Sequence, residues 1–157
     1  MTYIIGIDPG ASGAVAILEA ATGRLIEVWD MPSVLVQSGK SAKNRVSPEM
    51  LAAELRPWAD AVAYVEQVGA MPGQGVSSMF AFGESLGIVR GALAGLAVPC
   101  HLVPPARWKK AMGVNAGKDG SRAKAAQLWP EQAGEFRRVK DDGRAEAALI
   151  AHWGRVK

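Results

Sequence analysis

The sequence predicts a layered α/β domain built on a mixed five-stranded sheet, strands one to three antiparallel and strands four and five parallel, flanked by helices. Three short apolar runs joined by glycine-bearing turns fill the first 31 residues, the pattern of an antiparallel meander. Two later apolar runs alternate with helical segments, as crossover connections into the same sheet require. With 157 residues, 49% of them hydrophobic, the chain holds one full core and is too short for two ordinary domains, so residues 1–157 are expected to form a single one.

The strands are YIIGI from Tyr3, AVAIL from Ala14 and LIEVWDM from Leu25, connected by DPGASG and EAATGR. SVLVQSGKSAKNRVSP follows, polar and carrying Lys40, Lys43 and Arg45 without an acid, which predicts an exposed loop. Pro48 leads a helix in which Leu51, Leu55 and Trp58 share a face, and Pro57 perturbs its last turn. AVAYV from Ala61 is the fourth strand; the glycine-rich GAMPGQGVSSM then leads to a helix from Met79, with Ser77 or Ser78 as its cap. CHLV from Cys100 is the fifth strand, and Pro104-Pro105 introduces the short basic helix ARWKKAMG. Ser121 caps RAKAAQLW, and after a polar segment DDGRAEAALIAHWGRVK forms the last helix.

Composition narrows the function. One Cys and two His cannot build a disulfide framework or a finger-type zinc site, so a bound metal would rest on carboxylates. The start lacks a basic leader, and no apolar stretch reaches membrane-spanning length uninterrupted, which predicts a cytoplasmic protein with no membrane partner. The net charge of +3 is unevenly spread: residues 1–106 hold six Lys/Arg against nine Asp/Glu, and residues 107–157 hold twelve against six. A basic last third is compatible with a polyanionic partner, although solvated surface is the commoner cause of such unevenness.

Two strands end on acids. Asp8 precedes Pro9-Gly10, where it serves either as a turn residue bonding its own backbone or as a functional carboxylate. Glu66 follows AVAYV at the edge of the core, where a carboxylate is expensive unless paired or cation-bound. Parallel neighbouring strands would put both on the rim where sheets of this class carry their sites. Asp142 and Glu146 lie four apart on one helical face, and Glu146 begins the buried stripe. Four converging carboxylates would repel one another in an empty site, and two divalent cations about 4 Å apart would relieve that repulsion. Hard oxygen ligands of this kind suit Mg²⁺ or Mn²⁺ and in-line hydrolysis of a phosphodiester.

IIGIDPGASGAVAIL, YVEQV and DDGRAEAALIAHW resemble the three motif regions of RuvC-like Holliday-junction resolvases, particularly the bacteriophage and prophage branch, and SMFAFGESLGIVRG and LVPPARWKKAMG extend the likeness over most of the chain. The resemblance implies a ribonuclease-H-like fold, a homodimer, and Mg²⁺-dependent nicking of four-way or other branched DNA to 5′-phosphate and 3′-hydroxyl ends, in a bacterial or phage-infected cell. It implies two Mg²⁺ per site, with Mn²⁺ substituting, held by Asp8, Glu66, Asp142 and Glu146 as the catalytic set. Cellular members place Asp or His three residues before the last acid, where this chain has Gly143; Asp142 is the expected substitute, with Asp141 in reserve.

On the same resemblance Arg107, Lys109 and Lys110 form the basic helix beside the site, Lys118, Arg122 and Lys124 continue it, and Lys40, Lys43 and Arg45 order on DNA. Of Phe80 and Phe82, one is expected in the core and the other as a wedge at the junction. Trp108 is read as packing in preference to base stacking, and His152 as surface. Gly83, Gly87, Gly91 and Gly95 give one helix a smooth face that meets either the sheet or a twin helix. A noncatalytic branched-DNA-binding protein is the second reading. A nucleotide-binding enzyme of actin-like fold is disfavoured, because one small domain lacks its two-lobed cleft, so no nucleotide cofactor is expected.

Overall fold

The computed structural model describes residues 2–114 and 118–157, except for the side chain of Lys118. Among these described residues, seven strands, β1 (Tyr3–Asp8), β2 (Ala14–Glu19), β3 (Leu25–Asp30), β4 (Ser33–Ser38), β5 (Ser41–Val46), β6 (Val62–Glu66) and β7 (Cys100–Val103), accompany five α-helices. The helices are α1 (Pro48–Leu55), α2 (Val76–Gly95), α3 (Pro105–Met112), α4 (Lys118–Leu128) and α5 (Asp142–Val156). Five strands form one sheet in the order β3-β2-β1-β6-β7. β1 is antiparallel to β2 and β2 to β3, whereas β1, β6 and β7 run parallel. The expected division into an antiparallel and a parallel part therefore meets inside β1, which belongs to both.

Alternation along β1 decides what each face holds. Ile5 and Ile7 join Val15, Ile17, Ala63 and Val65 under α1 and α2, where Leu51, Leu55, Val89 and Leu93 cover them. Ile4, Ala14, Ala16, Leu18 and Tyr64 face α5 on the other side, with Trp108 and Phe136 completing that layer. Gly6 lies between Ile4 and Asp8 on this second face, and a side chain there would collide with the Ala147 carbonyl and the Ala151 backbone of α5. The missing side chain lets α5 lie flush on β1, which fixes how far Glu146 stands from the strand end.

Several local expectations change. The segment read as an exposed loop is the two-stranded β4–β5 hairpin, paired from Ser33↔Val46 to Ser38↔Ser41 and exposed over most of its length. Its polar composition reflects two solvated faces, which hides the period-2 signal of a half-buried strand. Helix α2 starts at Val76 with Gly75 as its cap, so Ser77 and Ser78 lie in the first turn. Helix α4 starts at Lys118, and Ser121 is buried within it. Pro57 sits in a 3₁₀ turn, Arg56–Trp58, that follows α1. The polar segment before α5 holds two more such turns, Pro130–Phe136 and Val139–Asp141. The glycine face of α2 meets nothing within 4 Å at Gly83, Gly87, Gly91 or Gly95, so it does not pack on the sheet.

Candidate active site

Register explains the juxtaposition of the acids. Ile7 of β1 pairs with Val65 of the parallel β6, so Asp8 and Glu66, each one residue farther, end neighbouring strands on the same rim. Both continue the even positions that face α5, and α5 brings Glu146 down on them from its second turn. Burial, then the charges of Glu146 and Glu66, raise the Asp8 carboxyl from 3.8 to about 7, against the lowering effect of the Gly10 backbone hydrogen bond and of Lys109. Asp8 thus bonds its own turn and also carries the repulsion of two further acids. Glu66 is 9% exposed, and burial raises its carboxyl too.

Helix α3 supplies the compensating groups. Fully buried Trp108 donates its indole N–H to Glu66 Oε2 at 2.7 Å. Lys109 Nζ stands 3.2 Å from Glu146 Oε1 and 5.2 Å from the centre of the Trp108 ring. Among the described residues, no group of three His, Cys, Asp or Glu side chains is gathered as a ready ligand set. The three acids act on one another through their charges, and two of them have α3 partners.

Asp142 does not join them. Its Oδ1 accepts from Arg122 Nε at 3.0 Å, and Arg122 also pairs with Asp119 and donates to the Arg137 carbonyl. Asp141, the reserve, is 1% exposed and turned back onto Arg138, whose backbone N–H and guanidinium it accepts. Gly143 is a glycine by necessity: a Cβ there would stand 2.8 Å from the Ser12 carbonyl oxygen and 3.0 Å from Gly13 Cα. The start of α5 thus presses closely on the DPGASG turn at this position, and Asp142 beside it is engaged by Arg122.

Two grooves open on Asp8. One, about 460 Å³, runs between Asp8, Glu66, Met71, Gln74 and Pro105; the other, about 360 Å³, runs between the DPGASG turn, Asn44, Arg45, Ser78 and Ser85. Phe82 lines both. Phe80 is 69% and Phe82 43% exposed, so neither aromatic belongs to the core, contrary to expectation.

The expected DNA-contacting cations divide. Lys40 and Lys43 are exposed on the hairpin, and Arg107 and Lys110 on α3. Arg45 at the hairpin base is engaged with Glu84 at 3.0 Å, and Arg122 with the two aspartates. Lys124 acts on His152, beyond Glu146 on the far part of α5 and away from the rim. The expectation for the Lys118 side chain lies outside the described residues. His152, expected at the surface, is half-buried and packs edge-on against Trp129.

Sequence reasoning missed the role of Trp108 as a partner of Glu66 and that of Lys109 as a partner of Glu146. The usable signal was the Pro104-Pro105 break: a helix starting immediately after a strand parallel to β6 must return its first turn to the rim where Glu66 ends.

No protein-family model matches the chain. It is 34% identical over 148 residues to Holliday junction resolvase MOC1, chloroplastic, of Chlamydomonas reinhardtii; the match covers 80% of this chain and spans 17% of that protein. Among solved structures, T. thermophilus RuvC in complex with a Holliday junction substrate superposes with a TM-score of 0.65 at 18% identity, covering 98% of this chain and 92% of that one. A second Thermus thermophilus RuvC structure gives 0.55 at 19%, covering 98% and 95%. The mixed five-stranded sheet with its helical layers is thus similar in fold to RuvC.

Proposed function

We propose that the chain is a RuvC-like Holliday-junction resolvase: a structure-selective, metal-dependent endonuclease that nicks four-way DNA junctions and other branched DNA. The observation that carries the reading is the placement of Asp8 and Glu66 at the ends of two parallel strands and of Glu146 near the start of α5, close enough that the charges of Glu146 and Glu66 help raise the Asp8 carboxyl to about 7. The 34% identity to a chloroplast Holliday junction resolvase supports the substrate.

The donors fit a hard divalent cation. They are carboxylates, and the repulsion that burdens Asp8 is what such a cation would relieve. Asp8, Glu66 and Glu146 would hold two Mg²⁺, or Mn²⁺ in their place. When bound, these ions supply an activated water and neutralise charge on the phosphodiester. Lys109 stabilises Glu146 before DNA arrives and lies close enough to the acids to counter a phosphate's charge. Lys40, Lys43, Arg107 and Lys110 are the exposed cations that contact backbone phosphates, and Phe82, between the two grooves, meets the unstacked bases of the crossover. Symmetric nicking of a four-way junction calls for a homodimer.

The test is a four-way junction incubated with purified protein in Mg²⁺, alongside D8N and E146Q. Nicking by the wild type and loss in both variants is expected; nicking that survives both substitutions excludes this site. Linear, flap and Y-shaped substrates in the same assay set the breadth of selectivity. The ion pair on Glu146 and the side-chain-free position 143 favour one second reading, a junction-binding protein without nuclease activity. It predicts salt-sensitive binding and no nicking in either Mg²⁺ or Mn²⁺.

A further inference from the structure

We propose that Trp108 is a positioning residue for Glu66: its indole N–H fixes carboxylate oxygen Oε2 and leaves Oε1 for a cation. The inference rests on reading Asp8, Glu66 and Glu146 as the cation-holding carboxylates. The geometry that supports it starts in the sheet. Glu66 pairs with Val103 in the parallel β6–β7 ladder, and Gln67 N–H closes that ladder on the Val103 carbonyl at 2.8 Å. Pro104 and Pro105 then turn the chain directly into α3, with Arg107 N–H bonding the Pro104 carbonyl at 3.0 Å. Trp108, five residues beyond the partner of Glu66, comes back beneath it with no freedom of its own, since its ring is fully buried.

A glutamate has three side-chain torsions, and at 9% exposure Glu66 has little solvent to hold its charge. The 2.7 Å indole bond supplies both an orientation and a partner for the ionised form. Lys109, next in sequence, engages Glu146, so one turn of α3 sets two of the three acids. The two contacts differ in kind. The ammonium is a flexible, half-exposed ion pair that a phosphate can draw away; the indole is locked in the core and keeps its hold on Glu66 throughout.

Trp108→Phe keeps most of the ring and deletes the N–H. Mn²⁺ binding to metal-free protein, followed by the paramagnetic resonance of free Mn²⁺, separates positioning from packing. W108F is expected to weaken Mn²⁺ binding about tenfold, as loss of a partner that orients a ligating group does. It should lower the nicking kcat by a similar factor, with KM for the junction unchanged and partial recovery at high Mn²⁺. A purely structural role would lower Tm and leave the Mn²⁺ affinity alone, and that result overturns the inference. Should W108F not fold, wild type and E66Q labelled with ¹⁵N-tryptophan decide the matter. One of the five indole N–H signals is expected to move toward the free-indole position in E66Q and to respond to Mg²⁺ in the wild type only; five signals indifferent to both overturn it. Wild type that neither binds Mn²⁺ nor nicks overturns the functional reading, and with it this inference. Wild type that binds Mn²⁺ no better than a folded W108F overturns the inference alone.

Discussion

Asp8 carries a stability cost in the metal-free protein. Its carboxyl is raised from 3.8 to about 7, so between those values the native state holds a proton that the unfolded chain has released, and stability falls as pH rises through that window. Replacing the carboxylate by an amide removes the cost. Metal-free D8N should therefore be more stable than wild type at pH 8, by on the order of 1–2 kcal/mol once partial solvation is allowed for, and equal to it near pH 4. Urea unfolding in EDTA at the two pH values checks this; a D8N that is the less stable at pH 8 would mean that Asp8 serves chiefly to hold its turn. Asp141 behaves oppositely. Burial alone would raise its carboxyl, but the Arg138 guanidinium and backbone N–H outweigh burial and leave it below the usual range. The stability it contributes is complete above its unfolded value and is lost as pH falls through the lowered native one. D141N should destabilise by about 1–3 kcal/mol at neutral pH, measured by urea unfolding, with the difference shrinking on acidification, while leaving Mn²⁺ affinity unchanged.

At the scale of elements, α5 is the part whose placement most constrains the site. Gly6, Gly143 and Gly154 each bring it within backbone distance of β1, the DPGASG turn or the Tyr64 ring. Gly143→Asp, which puts an acid at the position where the resemblance implies Asp or His, should therefore bring no gain in activity. Its Cβ would meet the Ser12 carbonyl oxygen at 2.8 Å, so α5 must lift from the turn at a cost of about 1–3 kcal/mol. The expected outcome is a lower Tm and slower nicking of a four-way junction; faster nicking would mean that the turn yields without disturbing Asp8. The apolar runs and turn signals made all five strands of the main sheet legible, and the strand-end positions of Asp8 and Glu66 and the buried stripe of α5 made three acids legible. Helical spacing placed Asp142 and Glu146 on one face, but spacing carries no information about Arg122, twenty residues away in the chain, which claims Asp142. The β4–β5 hairpin was illegible because neither face is buried, so its residues alternate against nothing.

For the whole molecule, several cations of the last third are engaged internally. Arg122, Arg138 and Arg144 are engaged with Asp119 and Asp142, with Asp141, and with Asp30 and Glu135 respectively, and Arg155 donates to the Ala20 and Ala21 carbonyls. The Arg144 and Arg155 contacts tie α5 to the β2–β3 end of the sheet, and those of Arg122 tie α4 to α5. The basic C-terminal third suggested a nucleic-acid surface, yet these four arginines are structural. Lys40 and Lys43, from the acid-rich first two-thirds, project instead on an exposed hairpin whose base borders the Asp8 groove. Counterion release separates the two roles, because each phosphate contact adds about 0.9 to the slope of log affinity against log salt. Lys40→Ala with Lys43→Ala should reduce that slope by up to about 2 for a four-way junction, with Tm unchanged. Arg144→Ala should lower Tm and leave the slope as it was. Fluorescence anisotropy across a salt series in Ca²⁺, with thermal melts of the same proteins, measures both. If Arg144→Ala changed the slope and the hairpin pair did not, the DNA path would have to cross the β3 side of the molecule, and the hairpin would have no part in holding the junction.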